Sequence, residues 1–204
     1  MWDTIAAERG ALAEDLSGLS DEQWSTPSLC SGWTVRELVA HQSSTASLTP
    51  PTFLARFVGS GFSFDKFTRR EIERHLGATP EETLAEFKSL QHSTKSPPGP
   101  KASWLGETIV HSEDIRRPLG IAHSYPPDAV RQVLDFYKNS NTLLGTKDRI
   151  AGLTLRATDV DWSHGEGPVA EGTLLDLLMA ATGRRHGAER LSGDGAATLV
   201  SRCS

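Results

Sequence analysis

The chain has 204 residues, 37% hydrophobic and 23% charged, with a formal net charge of −5, a balance that fits a soluble globular protein of one large domain or a domain with a small appendage. Basic residues are scattered along an acidic chain, which argues against a nucleic-acid partner, and no apolar run approaches the ~20 residues of a membrane span. The N-terminal stretch MWDTIAAERGALAEDL carries charges throughout and has no signal-peptide core. The two cysteines, Cys30 and Cys203, lie far apart and form no CxxC, so a reduced, cytoplasmic protein is expected.

Residues 3–19 are expected to form a helix, with Ile5, Leu12, Leu16 and Leu19 along one side. Ser20 to Gln23 has the form of a capping box opening a short turn, and PSLCSGW reads as a loop. TVRELVAH begins with Thr34 as N-cap and Glu37 three residues later. Val35, Leu38 and Val39 are its apolar face, and His41 ends it, leaning toward the core because Leu38 precedes it by three. PPTFLARFVGSGFSFDKFTRR mixes aromatics with glycines and reads as loop with broken helix. TPEETLAEFKSL is a well-marked helix: Thr79 caps it, Pro80 takes the first position and Glu82 closes the box. KSPPGP interrupts the chain. WLGETIVHSEDIRR, residues 104–117, is a helix that stops at 118–120. PPDAVRQVLDFYKNSNTLL is another, with Val130, Val133, Leu134 and Tyr137 in register.

After about Arg149 the texture changes. AGLTLRATDVDW alternates like a strand, with Leu153, Leu155 and Ala157 on one face. SHGEGPVAEG reads as a turn and a second short strand. TLLDLLMAATGRR is an apolar helix ending in glycine, and ATLVSR is a final strand. The expected organisation is a helical bundle over residues 1–149 followed by a small α/β domain over 150–204.

Chemistry concentrates in the helix around residue 107. At ~100° per residue, His111 lies roughly 40° around the helix from Glu107 and Asp114 roughly 20° to the other side. All three share one face, at spacings where side chains meet. Glu113, Arg116 and Arg117 read as ordinary solvated charges. Histidine and carboxylate together suit zinc, nickel or iron(II) with a coordination position left open, and Glu107 and His111 can grip one ion from one side. A third ligand has to come from another helix, and His41 is the best candidate. Asp114 then either orients His111 from behind or acts as a base. The plainer reading of an ExxxH pair is a polar surface stripe or a satisfied buried histidine. His75, His92, His123, His164 and His186 sit beside charged, Pro/Gly-rich or turn residues and read as mostly solvated. Cys30 reads as a small buried apolar residue, and Trp24, Trp33, Phe87 and Phe136 as core.

PSLCSGWTVRELVAHQ, then GETIVHSEDIRRPLG, then ATDVDWSHGEGPVAEGTLLDLLMAATGRR together resemble the mycothiol-dependent maleylpyruvate isomerase family of actinobacterial proteins, part of the wider DinB-like metal-binding group. The resemblance spans nearly the whole chain. It implies a mainly α fold, a DinB-like four-helix bundle followed by a small α/β C-terminal domain. It implies a divalent metal, zinc in the isomerase, held by His41, Glu107 and His111, with mycothiol as thiol cosubstrate. It also implies that Asp114 matches a catalytic aspartate and that a C-terminal arginine serves the site: Arg184 is the match, with Arg185 close behind as a contact for the cofactor. The function expected is a metal- and thiol-dependent isomerase or S-transferase acting on an electrophilic small molecule, as a monomer or homodimer. The alternatives are a metallohydrolase, in which water activated by the metal attacks, and a non-catalytic metal-binding protein. The segment 50–77 is unlike the isomerase pattern and leaves the substrate open.

Overall fold

The structure, a computed structural model, describes residues 1–142 and 144–203. Leu143, inside the PPDAVRQVLDFYKNSNTLL stretch, and the last residue lie outside the described residues. The chain divides into two compact units, Met1–Ser124 and Tyr125–Ser204. Arg149, where the sequence texture changes, falls within the second.

The first unit is wholly helical: α1 (Trp2–Asp15), α2 (Asp21–Trp24), α3 (Val35–Ser47), α4 (Pro50–Gly59), α5 (Phe64–His75), α6 (Pro80–Ser89) and α7 (Lys101–Arg116). Helices α1 and α3 each pack on both α6 and α7, which makes a four-helix bundle, and α5 lies along α3. Leu12, Leu16, Val35, Leu38, Phe87 and Ile115 fill its core, and Cys30 and Trp33 pack on the edge of that cluster. Burial of such side chains at ~25 cal/mol per Å² is the main favourable term.

Local chemistry explains the helix starts. Ser20 with Gln23 and Thr34 with Glu37 form reciprocal capping boxes. At α6 the Thr79 hydroxyl accepts from Glu82 N, but the Glu82 carboxylate accepts from Ala78 N at 2.7 Å instead of closing back on Thr79. Two stretches depart from expectation. Helix α3 does not stop at His41; it runs six residues further, to Ser47. The polar run QSSTAS stays helical because its hydroxyls turn back onto the helix, Ser43 Oγ to Val39 O at 3.1 Å and Ser47 Oγ to Ser44 O at 2.9 Å. The stretch read as loop with broken helix is instead two helices, α4 and α5. Thr49 and Thr52 cap α4 reciprocally, and its prolines occupy the first turn, where no N–H is needed. Gly61, at φ 65°, makes the reversal between the helices, and Phe53, Phe57 and Phe67 cluster across it.

Helix α7 is enclosed on nearly every side, with ten of its sixteen residues buried. Glu113, Arg116 and Arg117 are therefore not the solvated charges that their composition suggests. Arg116 is fully buried, with Nε 2.8 Å from the Asp15 carboxylate, and Arg117 Nε donates to Glu113 at 2.7 Å. A helix buried over most of its length must bury charges as well, and each of these is paired as that demands.

The second unit holds α8 (Pro127–Tyr137), α9 (Thr146–Ile150), β1 (Thr154–Ala157), β2 (Ser163–His164), β3 (Val169–Gly172), α10 (Leu174–Ala181), α11 (Arg185–Ala188) and α12 (Ala196–Ser201). The sheet order is β2-β1-β3, with β2 antiparallel and β3 parallel to β1. The segment ATLVSR is helix α12, not a strand. Among the described residues the sheet extends beyond β3 by one bridge, Glu171 to Ser192; Gly193, at φ 91°, then turns the chain away, and Leu199 is the fully buried residue of the helix. Together the two units make a mainly α fold with a small α/β C-terminal part.

Helices α10 and α11 cross at Gly187, where an added Cβ would stand 2.5 Å from Met179 Cβ and 2.9 Å from Ala180 N. The second contact is backbone and cannot yield like a flexible side chain. Gly187→Ala is expected to destabilise the protein by about 1–3 kcal/mol, the usual cost of overpacking, read as a lower urea midpoint. An unchanged midpoint would mean that the crossing relaxes freely.

Candidate metal centre

Two helices supply the site. Helix α7 carries Glu107, His111 and Asp114, and α3 carries His41 and, one turn on, Thr45. The α3–α7 packing brings them together. His41 Nε2 lies 3.4 Å from Glu107 Oε1, and the His41 and His111 rings meet edge to face with centroids 5.3 Å apart. One donor atom from each of His41, Glu107 and His111 lies within 4.8 Å of the others. A tetrahedral ion with bonds of ~2.1 Å has edges of ~3.4 Å between its ligands; the His41–Glu107 pair is already at that spacing, and His111 brings a donor within 4.8 Å of both. Two imidazoles and a carboxylate, all half-buried, fit a divalent transition metal.

The surroundings hold these three groups in place. Thr45 Oγ1 donates to Glu107 Oε1 at 2.6 Å. Burial pushes the Glu107 carboxyl up, but the hydrogen bond and charge of His41, the charge of His111 and the Thr45 hydroxyl outweigh it and bring it down to about 2. Asp114, fully buried, sets its Oδ2 3.0 Å from His111 Nδ1. A carboxylate there keeps the proton on Nδ1 and leaves the Nε2 lone pair for a ligand bond. Cys30 Sγ donates to the same Asp114 oxygen at 3.4 Å and lies 3.6 Å from His111 Nδ1. Cys30, His111 and Asp114 thus form a second donor cluster. His111 can serve only one of the two clusters through a given nitrogen, and the close carboxylate already occupies Nδ1.

On the far side of Glu107, Arg9 is buried and donates to Ser93 O at 2.9 Å. Burial lowers its pKa and the Glu107 charge opposes that, leaving it at about 10. Gln42 Nε2 and Trp104 Nε1 are buried without a hydrogen-bond partner among the described residues. They edge, with Arg9, Thr45, Glu107 and Thr108, a cavity of about 10 Å³, room for about one water.

All four first-unit residues singled out in the sequence, His41, Glu107, His111 and Asp114, therefore lie in one cluster. Arg184 and Arg185 belong to the second unit. They do not end α10, which stops at Ala181; Gly183, at φ 96°, turns the chain, and Arg184 instead caps the start of α11. Arg184 Nη1 donates to Thr182 O at 3.0 Å, and Arg185 Nε to Glu189 at 2.8 Å. Thr45 stands four residues after His41 on the same face of α3, and was missed because the helix was expected to end at His41. Cys30 is half-buried and touches two site residues, which its flanking sequence does not signal. Trp33 packs on the core edge but also lies against the His41 ring, centroids 5.0 Å apart. His75, read as solvated, is buried, with Nδ1 2.6 Å from Glu86.

Residues 5–96 match the family model described as the mycothiol maleylpyruvate isomerase N-terminal domain. No curated protein matches the chain by sequence. Among solved structures, a histidine-to-alanine mutant of the mycothiol-dependent maleylpyruvate isomerase aligns over 96% of this chain and 92% of its own, with a TM-score of 0.63 and 15% identity. The unmutated enzyme aligns over the same shares, with a TM-score of 0.57 and 15% identity. At that identity the likeness is one of fold.

Proposed function

We propose, from the match of residues 5–96 to the mycothiol maleylpyruvate isomerase N-terminal domain and from the site itself, that this protein is a metal- and mycothiol-dependent enzyme, an isomerase or a thiol S-transferase, whose metal is held by His41, Glu107 and His111. The observation that carries the reading is the convergence of these three donors from α3 and α7 within 4.8 Å, backed by a carboxylate on His111 Nδ1. Zinc suits the donor set best, and nickel or iron(II) accepts it. When bound, such a metal supplies the positive charge that keeps a thiol ionised near pH 7.

The protein's own groups do the rest. Glu107 stays ionised and is pinned by Thr45, so it meets a cation without rearrangement. Asp114 holds the His111 ring in one orientation and one tautomer. Arg184, with Arg185 beside it in sequence, is proposed as the cation for an anionic group of the thiol or substrate. The thiolate adds its sulfur to an electrophilic double bond; the former double bond rotates as a single bond; elimination restores the double bond and returns the thiol. Protonation of the adduct at the carbon that took the electron pair, with the proton drawn from water, and departure of the thioether instead give a transferase. The partners are then a small-molecule thiol and an electrophilic substrate. Among the described residues no helix is long and apolar enough to cross a membrane, and a cytoplasmic location is proposed with the thiol chemistry.

The test is turnover of maleylpyruvate by zinc-loaded protein, with and without mycothiol. Turnover that needs both zinc and the thiol is expected. Turnover that persists without thiol points to a hydrolase, and tight thiol binding with no turnover on any electrophile tried points to a binding protein.

A further inference from the structure

Trp33, which lies against the His41 ring, also lines an open groove of about 700 Å³. One wall is the loop of Ser31, Gly32 and Trp33. The other is α5, which presents Asp65, Thr68, Arg69, Ile72 and Glu73, with Leu76 just past its end. Those positions recur at three- and four-residue spacing and form one helix face. Ile72 is buried, whereas Asp65, Arg69 and Glu73 are exposed. The side chains of Ser31, Asp65, Thr68, Arg69 and Glu73 make no hydrogen bond or ion pair among the described residues. The helix buries Phe67, Glu71 and His75 elsewhere, so the polar side chains of its groove face, set among Phe64, Ile72 and Leu76, are uncommitted.

The loop wall is tied to the metal centre. Leu29 N donates to Asp114 O at 3.0 Å, and Cys30 Sγ rests on the Asp114 carboxylate. The next three residues form the groove wall. Groove and metal centre are thus joined through one short loop and one indole ring.

The chemistry of the lining narrows the ligand. An indole face suits the C–H face of a ring. Carboxylates and hydroxyls accept and exchange hydrogen bonds with alcohols, and a guanidinium donates to them. Glu37, Asp65 and Glu73 stand against the single positive charge of Arg69, which disfavours an anion. The polar rim disfavours a wholly apolar ligand. The volume falls in the range of small-molecule sites, roughly 300–1,000 Å³. A ring-shaped polyhydroxyl compound meets all of these conditions. Mycothiol is such a compound at one end, its cysteine being carried on a glucosamine joined to inositol.

Resting on the proposed function, we infer that this groove binds the sugar and cyclitol half of the thiol cosubstrate, with Trp33 as the platform past which the cysteine end reaches His41, Glu107 and His111. The groove then provides selectivity for mycothiol over simple thiols, apart from the metal-binding residues.

The experiment is calorimetric titration of zinc-loaded protein with mycothiol and with N-acetylcysteine, which has the thiol but no sugar. It compares the wild type with Arg69→Ala and with the double variant Asp65→Ala, Glu73→Ala. These side chains are exposed and make no hydrogen bond or ion pair among the described residues; metal content and thermal midpoint are the controls. The wild type is expected to bind mycothiol more tightly than N-acetylcysteine. Each variant is expected to lose about tenfold in mycothiol affinity, the equivalent of one good hydrogen bond, with N-acetylcysteine affinity unchanged. If the wild type prefers mycothiol but the variants bind it equally well, the sugar lies elsewhere: the groove assignment is overturned and the functional reading stands. If the wild type binds N-acetylcysteine as tightly as mycothiol, the groove has no role and is likewise overturned. If the wild type binds neither thiol, the functional reading falls and the groove assignment with it.

Discussion

His111→Ala is expected to leave the protein folded and nearly free of metal. The residue offers one of three donors, and its ring is already oriented by Asp114. Structural zinc sites with four ligands bind with about 10–16 kcal/mol, so one ligand is worth on the order of 3 kcal/mol, more than a hundredfold in affinity. The ring is half-buried at the edge of the bundle rather than inside its core, so its removal leaves no large cavity. Elemental analysis after gel filtration, with a zinc-binding dye in competition, gives the readout. Full metal occupancy in the variant would exclude His111 as a ligand.

Asp114→Asn is expected to weaken metal binding by about 10–100-fold, the usual effect of removing the partner that orients a ligating histidine. The amide matches the carboxylate in size and can still accept from His111 Nδ1 and Cys30, so the fold should persist. What is lost is the negative charge that strengthens the imidazole as a donor. Unchanged metal affinity and unchanged turnover would reduce Asp114 to a packing role. Complete metal loss in a folded variant would place its carboxylate among the ligands.

How much of this was legible in the sequence depended on the range of the interaction involved. The capping boxes at Ser20 and Thr34 are contained within four residues, and both form as read. The common face of Glu107, His111 and Asp114 follows from helix geometry alone. His41 is different: its contact with Glu107 depends on the register between α3 and α7, so the sequence could offer it only as the best candidate on a neighbouring helix, which the family resemblance then also implied. The extension of α3 was missed because a Ser/Thr-rich run resembles a helix end unless its hydroxyls have backbone carbonyls to bond. The buried charges of α7 were missed because burial depends on how many neighbours a helix has, and Arg116 and Glu113 look like any surface pair until α7 is enclosed. The approach of Cys30 to Asp114 joins a loop to a helix more than eighty residues away, and no local pattern encodes it. The groove beside Trp33 lies partly on α5, in the very segment that read as broken helix.

The central claim is that His41, Glu107 and His111 hold a metal on which a thiol becomes reactive. Cobalt(II) accepts the donors that zinc does, and its thiolate bond absorbs in the near ultraviolet. The decisive measurement is titration of cobalt-loaded protein with mycothiol in a Cys30→Ser background, which removes the one thiol near the site among the described residues. A charge-transfer band that grows to saturation at one equivalent of mycothiol, and is absent from His111→Ala, is the predicted result. Cobalt-loaded protein that binds mycothiol without any such band would contradict the account.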